Sequence, residues 1–216
     1  MLTSLNLATA DQLLAGPPTA RLGRTGIDKR PVDGLVATGA DQLEGDSIVN
    51  RRHHGGPDQA VYAYAAEDAC WWAAELPRDV GPGAFGENLT TSGLDVTGAV
   101  IGEVWQVGTA HFEVACPRIP CRVFARFWDV GDLVKRFTRA ERPGAYLRIA
   151  RAGRLGAGDE ITVLSRPAHG VTIAETFRAL TGHHALAPRL LEAPQLPAKV
   201  HATARTWLAG TTPATS

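Results

Sequence analysis

Apolar residues along the chain fall in short runs separated by glycine and proline, the punctuation of a β-rich chain. Val32 to Thr38 and Ala60 to Tyr64 read as strands. Val100 to Val107 and His111 to Ala115 read as a strand pair around the turn Gly108-Thr109-Ala110. Ala145 to Ala150 and Glu160 to Leu164 are further strands, joined by the glycine-rich stretch Gly153 to Gly158. Two segments have helical character instead. Ala66 to Leu76 carries Glu67 and Asp68 in its first turn, where the helix dipole favours acid, and is followed by Pro77. Val130 to Ala140 runs until Pro143-Gly144.

The pattern changes near Arg166-Pro167. Thr172-Ile173-Ala174-Glu175 is a capping-box sequence that opens a helix through Leu180. Leu186 to Leu191 and Ala198 to Leu208 predict two more short helices, and Thr211 to Ser216 a frayed end. The expectation is a mainly β domain over residues 1–166 followed by a small helical extension over 167–216. No internal repeat or low-complexity tract interrupts this division.

A chain of 216 residues with 44% hydrophobic and 20% charged residues can build one full core. Acidic and basic residues balance at 22 each, so no global field advertises nucleic acid or an anionic membrane as partner. No stretch approaches the roughly 20 apolar residues that span a bilayer, and Met1 to Ala15 lacks the basic flank of a secretory signal. Three cysteines, Cys70, Cys116 and Cys121, argue against a disulfide framework and for the reducing cytoplasm.

Several segments hold candidate chemistry. Gly81-Pro82-Gly83-Ala84-Phe85-Gly86 satisfies the dinucleotide-binding string, but it lacks the preceding strand and following helix, and Pro82 removes a backbone N–H. Arg51-Arg52-His53-His54-Gly55-Gly56-Pro57-Asp58 gathers cations, imidazoles and flexible glycines, either as an anion site or as a solvated turn. Its adjacent histidines lack the spacing of a helical zinc site. Asn88, in Phe85-Gly86-Glu87-Asn88-Leu89, either reads a polar ligand or satisfies its own turn. The strongest signal is Cys116-Pro117-Arg118-Ile119-Pro120-Cys121. Its spacing fits neither zinc nor thioredoxin-type redox chemistry, and Arg118 and Arg122 flank Cys121, where positive charge favours the thiolate. Cys116 and Cys70 read as small buried hydrophobes.

Taken together, Gly45-Asp46, the Arg52 to Val61 segment, Phe85 to Leu89, Ile101-Gly102-Glu103 and Pro117 to Cys121 resemble the MOSC domain, the module named after molybdenum cofactor sulfurases. The likeness covers residues 30 to 165, and the helical tail resembles the extension of the stand-alone bacterial, YiiM-like branch. This resemblance implies a mostly antiparallel β-barrel with peripheral helices. It also implies the pterin-type molybdenum cofactor (Mo-molybdopterin), held through Cys121 as the metal ligand. Related proteins reduce N-hydroxylated compounds, and this branch acts on bases such as 6-hydroxylaminopurine, a detoxifying role.

On this reading Arg51, Arg52, Gly55, Gly56, Asn88 and Arg118 anchor the cofactor, His54 donates protons, and Glu87 and Asn88 orient substrate. With three cysteines the chain has no C-x2-C run for an iron–sulfur cluster, and it has no recognisable pyridoxal phosphate domain. Electrons would then come from a separate reductase, a flavoprotein or iron–sulfur protein. The helical tail is a candidate for pairing subunits into a homodimer. The rival readings are a cofactor carrier without turnover and a metal-free protein with a reactive Cys121.

Overall fold

A computed structural model describes residues 1–9, 26–48 and 55–210. In chain order its strands and helices are β1 (Leu2–Leu7), β2 (Arg30–Pro31), β3 (Val36–Ala37), β4 (Val61–Ala65), α1 (Ala66–Ala73), β5 (Leu89–Thr91), β6 (Val104–Val107), β7 (Ala110–Pro117), α2 (Arg122–Trp128), α3 (Leu133–Ala140), β8 (Ala145–Arg151), β9 (Arg154–Leu155), β10 (Ile161–Ser165), α4 (Ile173–Leu180), α5 (Ala187–Leu190) and α6 (Ala198–Leu208).

The fold is a mixed, sheet-dominated structure with several helices. The main sheet has eight strands in the order β10-β6-β7-β8-β4-β5-β1-β2, and β3 pairs with β9 separately. Its pairings are antiparallel except for β4 with β5. Pairing leaves β10 and β2 as edges, so no closed barrel of the expected kind is found among the described residues. Instead, Leu2 exchanges two backbone hydrogen bonds of 2.8 Å with Gly158 and Asp159, just before β10.

Strand β4 explains the layering. All five of its residues are buried. Side chains alternate across a strand, and here Val61, Ala63 and Ala65 enter an aliphatic core while Tyr62 and Tyr64 enter an aromatic one. The aliphatic core continues through Phe112 and Val114 of β7 and Ala145 and Leu147 of β8. The aromatic core lies under α1, α2 and α3 and centres on Phe85, which stacks on Tyr64 at 4.7 Å and meets Phe124 and Trp128 at 5.8 and 5.7 Å.

Of the predicted strand over 32–38 only Val36–Ala37 forms, as β3, after Gly34 at φ 78°; β2 lies ahead of the predicted range, and Val32 N donates to Leu5 O. The helix expected over 130–140 begins later, at Leu133. Strand β1, helix α2 and the short β5 carry no clear periodic signature. In β1 a buried Asn6 breaks the apolar run, and the Thr90 hydroxyl takes up its amide at 2.9 Å. The capping box at Thr172 is half formed. Its hydroxyl accepts from Glu175 N at 3.1 Å, while the Glu175 carboxylate turns to Arg189 Nε at 2.9 Å.

Residues beyond 167 share the aliphatic core. Val171, Ile173, Leu190, Leu196 and Val200 are buried in the same cluster as Trp105 and Phe112. Ile173 N donates to Ala99 O at 2.9 Å, tying α4 to the loop before β6.

Truncating Phe85, which no solvent reaches, removes the hub of the aromatic core. Phe85→Ala is expected to lower unfolding stability by about 3–5 kcal/mol, read as a reduced urea midpoint.

Candidate functional site

The segment after β7 is shaped by its two prolines. Pro117 ends the strand, and the chain turns through Arg118, Ile119 and Pro120 to Cys121, which stands in extended backbone (φ −128°, ψ 169°) directly before α2. Cys121 is half-buried and packs against the aromatic core. None of the three cysteines forms a disulfide.

Arg118 is 6% exposed. Its guanidinium carbon lies 4.1 Å from the centroid of the Phe124 ring and 5.6 Å from those of Tyr62 and Phe137. Among the described residues its Nη1 has no hydrogen-bond partner. Aromatic faces offset part of the desolvation of a cation, about 2 kcal/mol each at most. A buried cation without an anion is otherwise costly. Burial acts to lower the guanidinium, and the acidic groups of Tyr62, Tyr146 and Cys121 around it act to raise it. Burial raises the phenol of Tyr146, and the Arg118 charge acts against that rise. A fixed positive charge beside Cys121 favours its thiolate form. The arrangement is a buried cation, one of its nitrogens without a partner among the described residues, beside a half-buried thiol.

The glycine-rich loop packs against β7 and β8. Gly55 and Gly56 hold φ of 84° and 78°, a conformation other residues rarely adopt. A Cβ on Gly55 would press on Ile48 at 3.0 Å, whereas Gly56 faces open space. Asp58 accepts from Arg148 Nε at 2.7 Å, and the Cys116 thiol lies 3.9 Å from Asp58 O. These contacts pin the loop to β7 and β8. Burial pushes the Cys116 thiol up to about 12, as befits a structural group. Arg51, Arg52, His53 and His54 lie outside the described residues.

Glu87 and Asn88, expected to orient substrate, stand just before β5. Both are buried, and their polar atoms serve the chain itself. Glu87 accepts from Gly83 N at 2.7 Å, Phe85 N at 3.0 Å and the Thr90 hydroxyl at 2.9 Å, which folds the loop before β5. Burial raises its carboxyl, and those donors work in the opposite direction. Asn88 accepts from Tyr62 N at 3.2 Å and donates to Asn6 O at 3.1 Å and Asp46 Oδ2 at 2.9 Å. The physical reason is satisfaction: an internal partner has taken up each of these groups.

Sequence reasoning passed over Lys29, whose ammonium forms a buried ion pair with Asp46. Burial pulls the Lys29 ammonium down, and Asp46 beside it pulls the other way. Asp46 also accepts from Ala8 N at 2.9 Å. This network joins β1, the Gly45-Asp46 turn and β5, elements distant in sequence, so no local spacing reveals it. The aromatic cage was more accessible, because Tyr62 shares a strand face with Tyr64, and Phe124 and Trp128 stand one helical turn apart. Among the described residues no group of three or more His, Cys, Asp or Glu side chains converges as a metal site.

Comparison with known proteins places these features. Residues 50–162 match the MOSC domain. The chain is 36% identical to the YflK protein of Bacillus subtilis over 69% of its own length and 67% of that protein. It is 33% identical to the YiiM protein of Escherichia coli over the same shares. A protein named reductase from Gibberella moniliformis is 32% identical over 79% of the chain, which spans only 31% of that longer protein. Among solved structures, YiiM from Geobacillus stearothermophilus superposes with a TM-score of 0.76 at 27% identity, covering 96% of this chain and 98% of that one.

Two outcomes follow from the geometry. Lys29→Ala leaves a buried carboxylate without its cation and is expected to cost about 3–5 kcal/mol in a denaturation curve. In brief alkylation of the native protein at pH 8, peptide mass spectrometry is expected to find Cys70 modified and Cys116 protected, because Cys70 is exposed and Cys116 is buried with a raised pKa.

Proposed function

Because the chain belongs to the MOSC domain family, as a YiiM-like member, we propose that it is a molybdenum cofactor-dependent reductase of N-hydroxylated compounds. The observation that carries this reading is Arg118, a buried guanidinium whose Nη1 has no hydrogen-bond partner and which has no ion pair among the described residues, beside the half-buried Cys121. An anionic group bearing a thiolate-seeking metal fits such a pair. The protein named reductase among the relatives supports an oxidoreductase class.

When bound, the cofactor would supply the two-electron redox chemistry that removes oxygen from an N-hydroxyl group. The chain supplies its surroundings. Cys121 offers a soft thiolate ligand. Arg118 neutralises negative charge on the cofactor from within its aromatic cage, and the Gly55–Gly56 backbone allows close approach of an anion. In the same reading Arg51 and Arg52 anchor the cofactor phosphate, and His54 delivers protons to the substrate. Glu87 and Asn88 act as positioning residues, since Asn88 holds Tyr62 and Asp46, and Glu87 shapes the loop that carries Phe85. Suitable substrates are N-hydroxylated bases and small hydroxylamines.

Cysteines without disulfides suit the reducing cytoplasm, and no helix among the described residues is long and apolar enough to cross a membrane. Electrons would come from a separate flavoprotein or iron–sulfur reductase.

The test is molybdenum content after expression in a cofactor-producing host. Near-stoichiometric metal is expected in the wild type and loss of it in Cys121→Ser. Arg118→Leu is expected to retain about tenfold less molybdenum, while the metal-free variant unfolds within about 1 kcal/mol of wild type or later, since an unpaired buried charge has been removed. Equal metal in wild type and Cys121→Ser would overturn the assignment. Loaded protein that turns over no N-hydroxylated substrate with any donor would make it a cofactor carrier instead.

A further inference from the structure

Helix α2, which starts directly after Cys121, and helix α3 beside it carry a group of exposed cations. Helices α2 and α3 bury Phe124, Trp128, Leu133 and Phe137 in the aromatic core. Phe124 meets Phe137 edge-on at 5.3 Å, which fixes one helix against the other and turns their remaining faces outward. Arg122 and Arg126, one turn apart on α2, and Lys135 and Arg139, one turn apart on α3, are all exposed. No ion pair engages any of them among the described residues. Neighbouring Arg136 and Arg142, by contrast, pair with Glu75 and Asp68. The connection between the helices contributes Asp129 and Asp132, which leaves the face with a cationic surplus on a chain that is neutral as a whole. At the end nearest Cys121, Ile119 is 43% exposed and Val123 38% exposed. An apolar centre with a charged margin is the composition of a transient protein interface.

We propose that this face of α2 and α3 is where a small acidic electron carrier docks to deliver electrons to the Cys121 site; the inference rests on the reductase reading above. Reducing R–NH–OH to R–NH2 and water breaks the N–O bond and consumes two electrons and two protons. One flavin hydroquinone or two reduced iron–sulfur clusters of the carrier supply the electrons and are oxidised in turn, and solvent supplies the protons. These 216 residues hold three cysteines, too few for a four-cysteine cluster, and a carrier delivering electrons to the Cys121 site would meet it at the surface. Ile119 and Val123 border the loop that ends at Cys121 and give the carrier a dry contact, while Arg122, Arg126, Lys135 and Arg139 orient its acidic face. Such steering acts on encounter rate and weakens with salt.

The experiment uses molybdenum-loaded protein reducing 6-hydroxylaminopurine. Three donors are compared: reduced methyl viologen, which needs no docking, reduced flavodoxin, and a reduced [2Fe–2S] ferredoxin. In the double variant Arg126→Glu/Arg139→Glu, KM for the effective carrier is expected to rise about tenfold, with the viologen-driven rate unchanged. Arg205→Glu on the exposed side of α6 serves as the control and is expected to leave KM unchanged. The milder Lys135→Gln/Arg139→Gln replaces the double reversal if that variant loses its viologen-driven rate. Added salt is expected to raise the wild-type KM and to change that of the double variant little. Which carrier works identifies flavin or iron–sulfur as the source. Equal carrier KM in wild type and variants overturns the docking face, as does viologen-driven turnover that neither carrier supports. No viologen-driven turnover in loaded wild type overturns the reductase reading itself, and the docking proposal with it.

Discussion

The burial of β4 on both faces is the constraint around which the other elements are arranged. A strand with no exposed side chain needs a core on either side. The alternation of Val61, Ala63 and Ala65 with Tyr62 and Tyr64 makes those cores chemically different. Small and branched side chains face the aliphatic interior, which the strands of the main sheet and the C-terminal helices fill. The tyrosines face a layer of helices, and their hydroxyls reach the carbonyls of Pro143 and Arg142 at 2.7 and 3.0 Å. Those bonds hold the chain entering β8, whose Tyr146 borders the candidate site.

That aromatic layer gives Arg118 its surroundings. In water a guanidinium is well solvated, and between Tyr62, Phe124 and Phe137 it loses that solvation for contacts that return only part of it. A charge held this way is stabilised fully only when an anion arrives. The loop that carries it is stiffened by Pro117 and Pro120, so little conformational freedom remains to be lost on binding. Behind it, the Lys29–Asp46 pair and Asn88 connect β1, the Gly45-Asp46 turn, β4 and β5 through bonds that exclude water. Arg118, packed on Tyr62, therefore rests on a support of hydrogen-bonded buried groups.

Charge is distributed with the same economy. Several arginines are matched with carboxylates, such as Arg148 with Asp58 and Glu113, or Arg166 with the buried Glu103. The exposed cations Arg122, Arg126, Lys135 and Arg139 of α2 and α3 have no such match among the described residues.

The local sequence was enough to determine several features. The alternating strands β4, β6, β7, β8 and β10 were legible, as were α1, α3, α4 and α6, because each carries its own periodicity or cap. The segment from Cys116 to Cys121 singled itself out through its prolines and flanking arginines. Other features required the tertiary structure. Leu2–Leu7 becomes a strand because Leu89–Thr91 offers it hydrogen bonds from the far side of the first half of the chain. Asn88 and Glu87 look like free polar groups in sequence and are consumed by partners such as Tyr62, Gly83 and Asp46, while Lys29 finds its carboxylate only once the turn at Gly45 is in place. Arg118 could be named as a cation beside a cysteine, but its burial among rings from β4, α2 and α3 could not be read from its neighbours. Periodicity and capping are local properties that a sequence displays directly. The pairing of polar groups and the burial of a charge depend on which distant segments meet, and only the folded chain decides that.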